Sequence, residues 1–172
     1  MSIQRRLFWI RAILVFFVFA LGVSGLTAIP LRFELNILNS IVGEDTSVAN
    51  FLPWLATWIS LVHNGLEELY QDYAFLAYGY DWLAFGHFVI AIAFLGAVKD
   101  PIKNRWVIEF GMIACVLIIP YAFFFGQLRG IPILWRVIDM LFGIFGMIPL
   151  FIARKMTVEL EADLRSVGTF EQ

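Results

Sequence analysis

IPILWRVIDMLFGIFGMIPLFIA, running from Ile131 to Ala153, decides how the rest of the chain is read. About 20 apolar residues in a helix cross the roughly 30 Å of hydrocarbon in a bilayer, and this stretch is long enough. Inside it stand two opposite charges, Arg136 and Asp139, one helical turn apart. A charge in hydrocarbon costs roughly 3 kcal/mol or more unless it is paired or wet, so such residues mark a site. Arg136, Asp139, Met140, Gly143, Gly146, Met147 and Leu150 share one helix face, and Ile138, Leu141, Phe142, Phe145 and Ile148 cover the other. Small residues mark helix contacts in membranes, so the charged face is expected to be the packed one.

Working outward, 61% of the 172 residues are hydrophobic and only 15% are charged, with a mean hydropathy of +0.83. These values place the chain among integral membrane proteins. The expected fold is all-α: a four-transmembrane-helix bundle, one membrane domain over 1–172, with an outward-facing amphipathic helical lobe between the first two spans. The spans are expected at about 7–29, 82–98, 106–127 and 131–153, the lobe at about 31–81 and a polar tail at 154–172. Arg5, Arg6 and the Val23-Ser24-Gly25 run give the first span some look of a secretory signal. With Met1 at the start, its retention as a span is the expectation. Lys99-Asp100-Pro101 ends the second span, Asn104 is placed to N-cap the third, and Gly130-Ile131-Pro132 makes the hairpin to the fourth. Pro120 should kink the third span beside Tyr121. The single cysteine, Cys115, excludes an internal disulfide, and no basic stripe supports nucleic-acid binding.

Orientation follows from Lys and Arg near the span ends. Arg5, Arg6, Lys99, Lys103, Arg105, Arg154 and Lys155 fall on one side, and only Arg32 and Arg129 lie in the opposite loops. Both termini are therefore expected in the cytoplasm, with small size and span number fitting a bacterial cytoplasmic membrane. In the lobe, Trp54, Trp58, Leu61, Val62, Leu66, Leu69, Tyr73 and Leu76 recur at helical spacing, opposite Thr57, Ser60, Asn64, Glu67, Glu68 and Gln71. This predicts an amphipathic helix with Pro53 in its first turn and a break or bend near Gly65, lying at the headgroup level or capping the bundle. A fifth span from Phe51 to Leu76 is the rival; it would immerse Glu67, Glu68 and Asp72.

Depth along each span gathers the polar residues into one layer. His87 lies about 8 Å in from Trp82, Arg136 about 8 Å in from Ile131, Asp139 about 12 Å and Tyr121 about 10 Å in from Leu128, with Gln127 just above. The leading expectation is an outward-facing intramembrane polar pocket for a small molecule, lipid headgroup or ion. Its lining would be His87, Tyr121, Gln127, Arg136 and Asp139. Arg136 would meet an anionic group, Asp139 would hold Arg136 or take a proton, and His87 and Tyr121 would supply hydrogen bonds. The bland reading is an Arg136–Asp139 pair that satisfies itself, with His87 as interhelical glue. His63 and Glu67, four residues apart, could chelate a divalent metal and turn the pocket to hydrolysis, although a solvated polar face explains that spacing as well. The alternative class is a non-catalytic assembly or accessory subunit, or an oligomeric pore, built through homo-oligomer contacts. At the cytoplasmic end, Arg11 is expected to snorkel or pair with Glu109, Arg105 and Glu109 are i,i+4 partners, and the tail reads as a solvated helix end.

Overall fold

A computed structural model of the chain describes residues 1–166 and 168; the last part of the expected tail, 167 and 169–172, lies outside the described residues. Among the described residues there is no strand. Six helices follow in order: α1 (Ile3–Ala28), α2 (Leu31–Val42), α3 (Pro53–Asp72), α4 (Tyr78–Lys99), α5 (Arg105–Leu128) and α6 (Ile133–Ser166). Short 3₁₀ turns at Ser47–Asn50 and Ala74–Ala77 flank α3. The helices Ile3–Ala28, Ala74–Lys99 (α4 with the turn before it), Arg105–Leu128 and Ile133–Ser166 are long and apolar enough to cross a membrane. The chain divides into two compact units, Met1–Ala20 with Ile90–Gln172, and Leu21–Val89.

The first unit is organised around the α5–α6 hairpin. The turn between them closes as a Schellman motif: Gly130 has φ +70, its N–H donates to the Gln127 carbonyl, and the Ile131 N–H donates to the Gly126 carbonyl. Only glycine takes that φ without steric cost. The two helices then approach closely because glycines line the seam. A Cβ on Gly111 would lie 2.6 Å from the Phe94 ring and 2.9 Å from Leu150, and one on Gly143 would strike the Cys115 carbonyl and Ile118. Ile10, Leu14, Phe94, Ile108 and Leu150 fill the core around this seam. Pro120 and Pro149 both sit inside continuous helices.

At the end of this unit that carries the N-terminus, polar groups are paired in detail. Asn104 stands at the N-cap position of α5 but does not cap it; its side-chain amide instead donates to the Gly96 and Asp100 carbonyls at 3.0 and 2.9 Å. Arg11 donates to the Val98 and Lys99 carbonyls at 3.0 and 2.9 Å, rather than reaching Glu109. The last turn of α4 has orphan carbonyls that need donors more than the first turn of α5 needs an acceptor. Glu109 pairs with Arg154 at 2.9 Å and Arg105 at 3.6 Å. The tail is likewise no free helix end: α6 runs unbroken for 34 residues. Arg6 holds Asp163 and Glu159, and Arg105 holds Glu161. Thr157 and Leu160 are buried beneath those ion pairs.

The second unit contains the α2–α3 hairpin and the end of α1 against α4. Gly25 permits that second approach, since a Cβ there would meet the Ala84 carbonyl at 3.1 Å and the Phe88 ring at 2.8 Å. α3 runs through Gly65 without interruption, in open space that imposes no bend. α2 was not anticipated as a separate element. Its twelve residues intersperse apolar and polar side chains, and Leu35 is buried.

Three substitutions test this packing in detergent melts. Gly143→Leu should cost about 2 kcal/mol or more by overpacking the seam, whereas Gly86→Ala, with nothing within 4 Å of the added methyl, should be neutral or stabilising by up to about 1 kcal/mol. Asn104→Ala should destabilise by about 1–2 kcal/mol through the carbonyls it strands.

Candidate functional site

α6 begins at Ile133, and the positive end of its dipole and its first unpaired N–H groups lie just past the hairpin turn. One turn in, Arg136 is buried. Its stem lies across Gly126 of α5, where any Cβ would meet the Arg136 Cδ at 2.5 Å and Cγ at 2.6 Å. The glycine therefore makes the trough in which the arginine rests. At its far end the guanidinium donates one long hydrogen bond, 3.3 Å, from Nη1 to the Phe123 carbonyl. It also sits 5.8 Å from the centre of the Phe123 ring.

Asp139 does not complete this arrangement. It is exposed and has no ion-pair or hydrogen-bond partner among the described residues. It continues the row Gly146, Ala153, Leu160, of which the last two are buried, yet is itself uncovered. The two charges of α6 thus do not pair with each other. Arg136 Nε is buried and without an acceptor, and so is Nε1 of the adjacent Trp135. The first turns of α6 therefore hold two buried N–H donors with no acceptor, beside a cation with no counter-charge. Trp135 is not singled out by the sequence reading; an indole one residue before an arginine in an apolar run is the available signal.

The remaining candidates are not gathered around Arg136 within this unit. Tyr121 is exposed and lies against Phe125, with ring centroids 4.6 Å apart. Gln127 is exposed at the end of α5. In the second unit, His87 Nδ1–H donates to the Leu83 carbonyl one turn back at 2.8 Å, which leaves Nε2 as its free nitrogen. Its Cβ packs on the space left by Gly25.

The potential metal ligands His63 and Glu67 are engaged by α2. Arg32 grips Glu67 through both oxygens, Nε to Oε1 at 2.8 Å and Nη2 to Oε2 at 2.5 Å, and lies 5.1 Å over the Tyr70 ring. His63 Nε2 meets Asn36 Oδ1 at 2.7 Å, and Ser60 donates to Asn39 Oδ1 at 2.9 Å while accepting the Glu44 N–H. These rungs join residues 32, 36 and 39 of α2 to 67, 63 and 60 of α3, so the antiparallel helices are zipped by polar contacts at helical spacing. No group of three or more His, Cys, Asp or Glu able to hold a metal occurs among the described residues. A bidentate guanidinium also occupies the lone pairs, and supplies the positive charge, that a cation at Glu67 would need.

Compared with protein families, characterised proteins and solved structures, the chain shows no match.

The hydrogen bond from Arg32, and then its charge, hold the Glu67 carboxyl below the ordinary carboxylate range. A carboxylate with a lowered folded-state pKa stabilises above its unfolded value, and that stabilisation disappears as the pH falls through the folded one. Hydrogen exchange in α2 and α3 should therefore accelerate as the pH drops below about 4, after correction for intrinsic exchange. In Arg32→Gln the acid-dependent part of that change should vanish.

Proposed function

We propose that the chain is inserted as a four-span bundle in a bacterial cytoplasmic membrane, with both termini in the cytoplasm and residues 31–81 forming the outward-facing amphipathic lobe. Its function is to bind, near the outer surface, the anionic group of a small molecule or lipid headgroup at the start of α6. The carrying observation is the pair of buried donors, Arg136 Nε and Trp135 Nε1, that lack acceptors. An uncompensated guanidinium in an apolar span is costly, and a carboxylate or phosphate supplies both the counter-charge and the acceptors. The N-terminal end of α6 adds to the attraction for negative charge. Asp139, one turn further along and without a partner, suits a hydroxyl or cationic part of the same ligand. Tyr121 and Gln127 remain candidates for its edges. Metal-dependent hydrolysis at His63 and Glu67 is not part of this reading, because Arg32 holds both oxygens of Glu67.

A second reading rests on Asp139 itself. An exposed carboxylate within a span, flanked by exposed Phe142 and Phe145, suits a polar contact from another helix. The protein would then be an assembly or accessory subunit, or form a homo-oligomer.

Native mass spectrometry of gently purified protein, with elemental analysis, separates these readings. Bound anionic small molecule or lipid should be retained by the wild type and lost in Arg136→Gln at unchanged melting temperature. Equal retention in both proteins overturns the anion site. Loss of higher-mass assemblies in Asp139→Asn, with no ligand in either protein, favours the second reading.

A further inference from the structure

At the end of the first unit that carries the N-terminus, a groove of about 330 Å³ lies between the start of α1, the turn from α4 into α5 and the last turns of α6. Most of its wall is apolar: Ile3 and Leu7 come from α1, Ile102 from the turn, and Leu160 and Leu164 from α6. Two cations, Arg11 and Lys99, stand in the same wall. Arg11 is fixed there, because Nε and Nη2 donate to the Val98 and Lys99 carbonyls at 3.0 and 2.9 Å, leaving Nη1 without an acceptor among the described residues. Neither cation has a carboxylate partner among the described residues, since the nearby acids are engaged elsewhere. Asp100 accepts the Lys103 N–H at 3.0 Å and faces its ammonium at 4.0 Å. On α6, Glu159 and Asp163 hold Arg6, while Glu161 holds Arg105 and Arg165.

What continues from the cations says what they meet. Ile3, Leu7, Arg11, Val15 and Phe19 recur at every fourth residue and so follow one ridge of α1. Past Arg11 that ridge is apolar and open, with Val15 51% and Phe19 67% exposed. α4 repeats the pattern, since Leu95 and Ile92, one and two turns before Lys99, are 50% and 65% exposed. The two helices are neighbours here, joined by the Arg11 hydrogen bonds and by the Phe17 and Phe94 rings at 4.8 Å. Paired cations heading two open apolar ridges match one phospholipid, its phosphate at the charges and its acyl chains along the ridges. The apolar wall of the groove keeps water from the ion pair, which strengthens the attraction.

We infer that Arg11 and Lys99 hold the phosphate of an anionic phospholipid from the cytoplasmic leaflet. This rests on the membrane reading above, and the site is distinct from that of Arg136, which lies at the other end of α6. A net negative headgroup is selected because two cations face it, whereas a zwitterionic lipid brings a cation of its own.

Native mass spectrometry of the full chain, stripped of lipid and then returned to phosphatidylglycerol or phosphatidylcholine, reads this site. An Arg136→Gln background removes any contribution from the start of α6. In that background phosphatidylglycerol should be retained over phosphatidylcholine. Lys99→Gln should lower its retention about fivefold, the effect of one basic residue at a membrane surface, with the melting temperature unchanged, and Lys99→Arg should restore it. Equal retention of the two lipids, or no effect of Lys99→Gln, overturns the site. Displacement of phosphatidylglycerol by an equal concentration of glycerol 3-phosphate shows that a water-soluble phosphate suffices and overturns the lipid as its occupant. Retention by the wild type that disappears in Arg136→Gln assigns the lipid to the start of α6 and overturns this site alone. Failure of the wild type to float with vesicles of either lipid overturns the membrane reading beneath it.

Discussion

The close approach of α5 and α6 is the constraint from which the rest of the first unit follows. Between helices in lipid there is little hydrophobic drive, since side chain and solvent are equally apolar, so contact must come from packing at short range. Gly111 admits Phe94 and Leu150, and Gly143 admits the Cys115 carbonyl. At the turn end, Gly126 opens the same seam to the Arg136 stem. The packing that joins the helices thereby also buries a cation. Its methylenes are well accommodated, but its charge is met only by one carbonyl and one aromatic ring.

Many of the other charges are paired instead. At the end carrying the N-terminus, Arg6, Arg105, Arg154 and Arg165 are each matched to Glu109, Glu159, Glu161 or Asp163. Arg11 and Asn104 answer the carbonyls that end α4. Arg32 and Glu67 lock α2 to α3. Against these satisfied groups, Arg136 stands out as a buried guanidinium with no counter-charge and an Nε without an acceptor.

How much of this was legible varies residue by residue. Arg136 and Asp139 announced themselves as charges in an apolar run, and their i,i+3 spacing allowed them to pair. Instead the arginine stem lies across Gly126, ten residues earlier on another helix, and its guanidinium reaches the Phe123 carbonyl. His63 and Glu67 were visible as an i,i+4 pair, but Arg32 and Asn36, which occupy them, are about thirty residues distant in the chain. The tail looked merely solvated because its composition is polar. Thr157 and Leu160 lie at helical spacing within it, yet only the partners Arg6 and Arg105 reveal that this face is packed.

Hydropathy and period are local properties, and they alone determined the all-helical class, the four long apolar helices, the hairpin turn at Gly130 and the presence of helix in the 31–81 segment. Which side chain meets which was decided only by the tertiary structure. A donor such as Asn104 or Arg11 has several carbonyls and carboxylates within conceivable reach, and the choice depends on how near two backbones come. That distance is set by glycines far apart in sequence, whose effect no single helix displays.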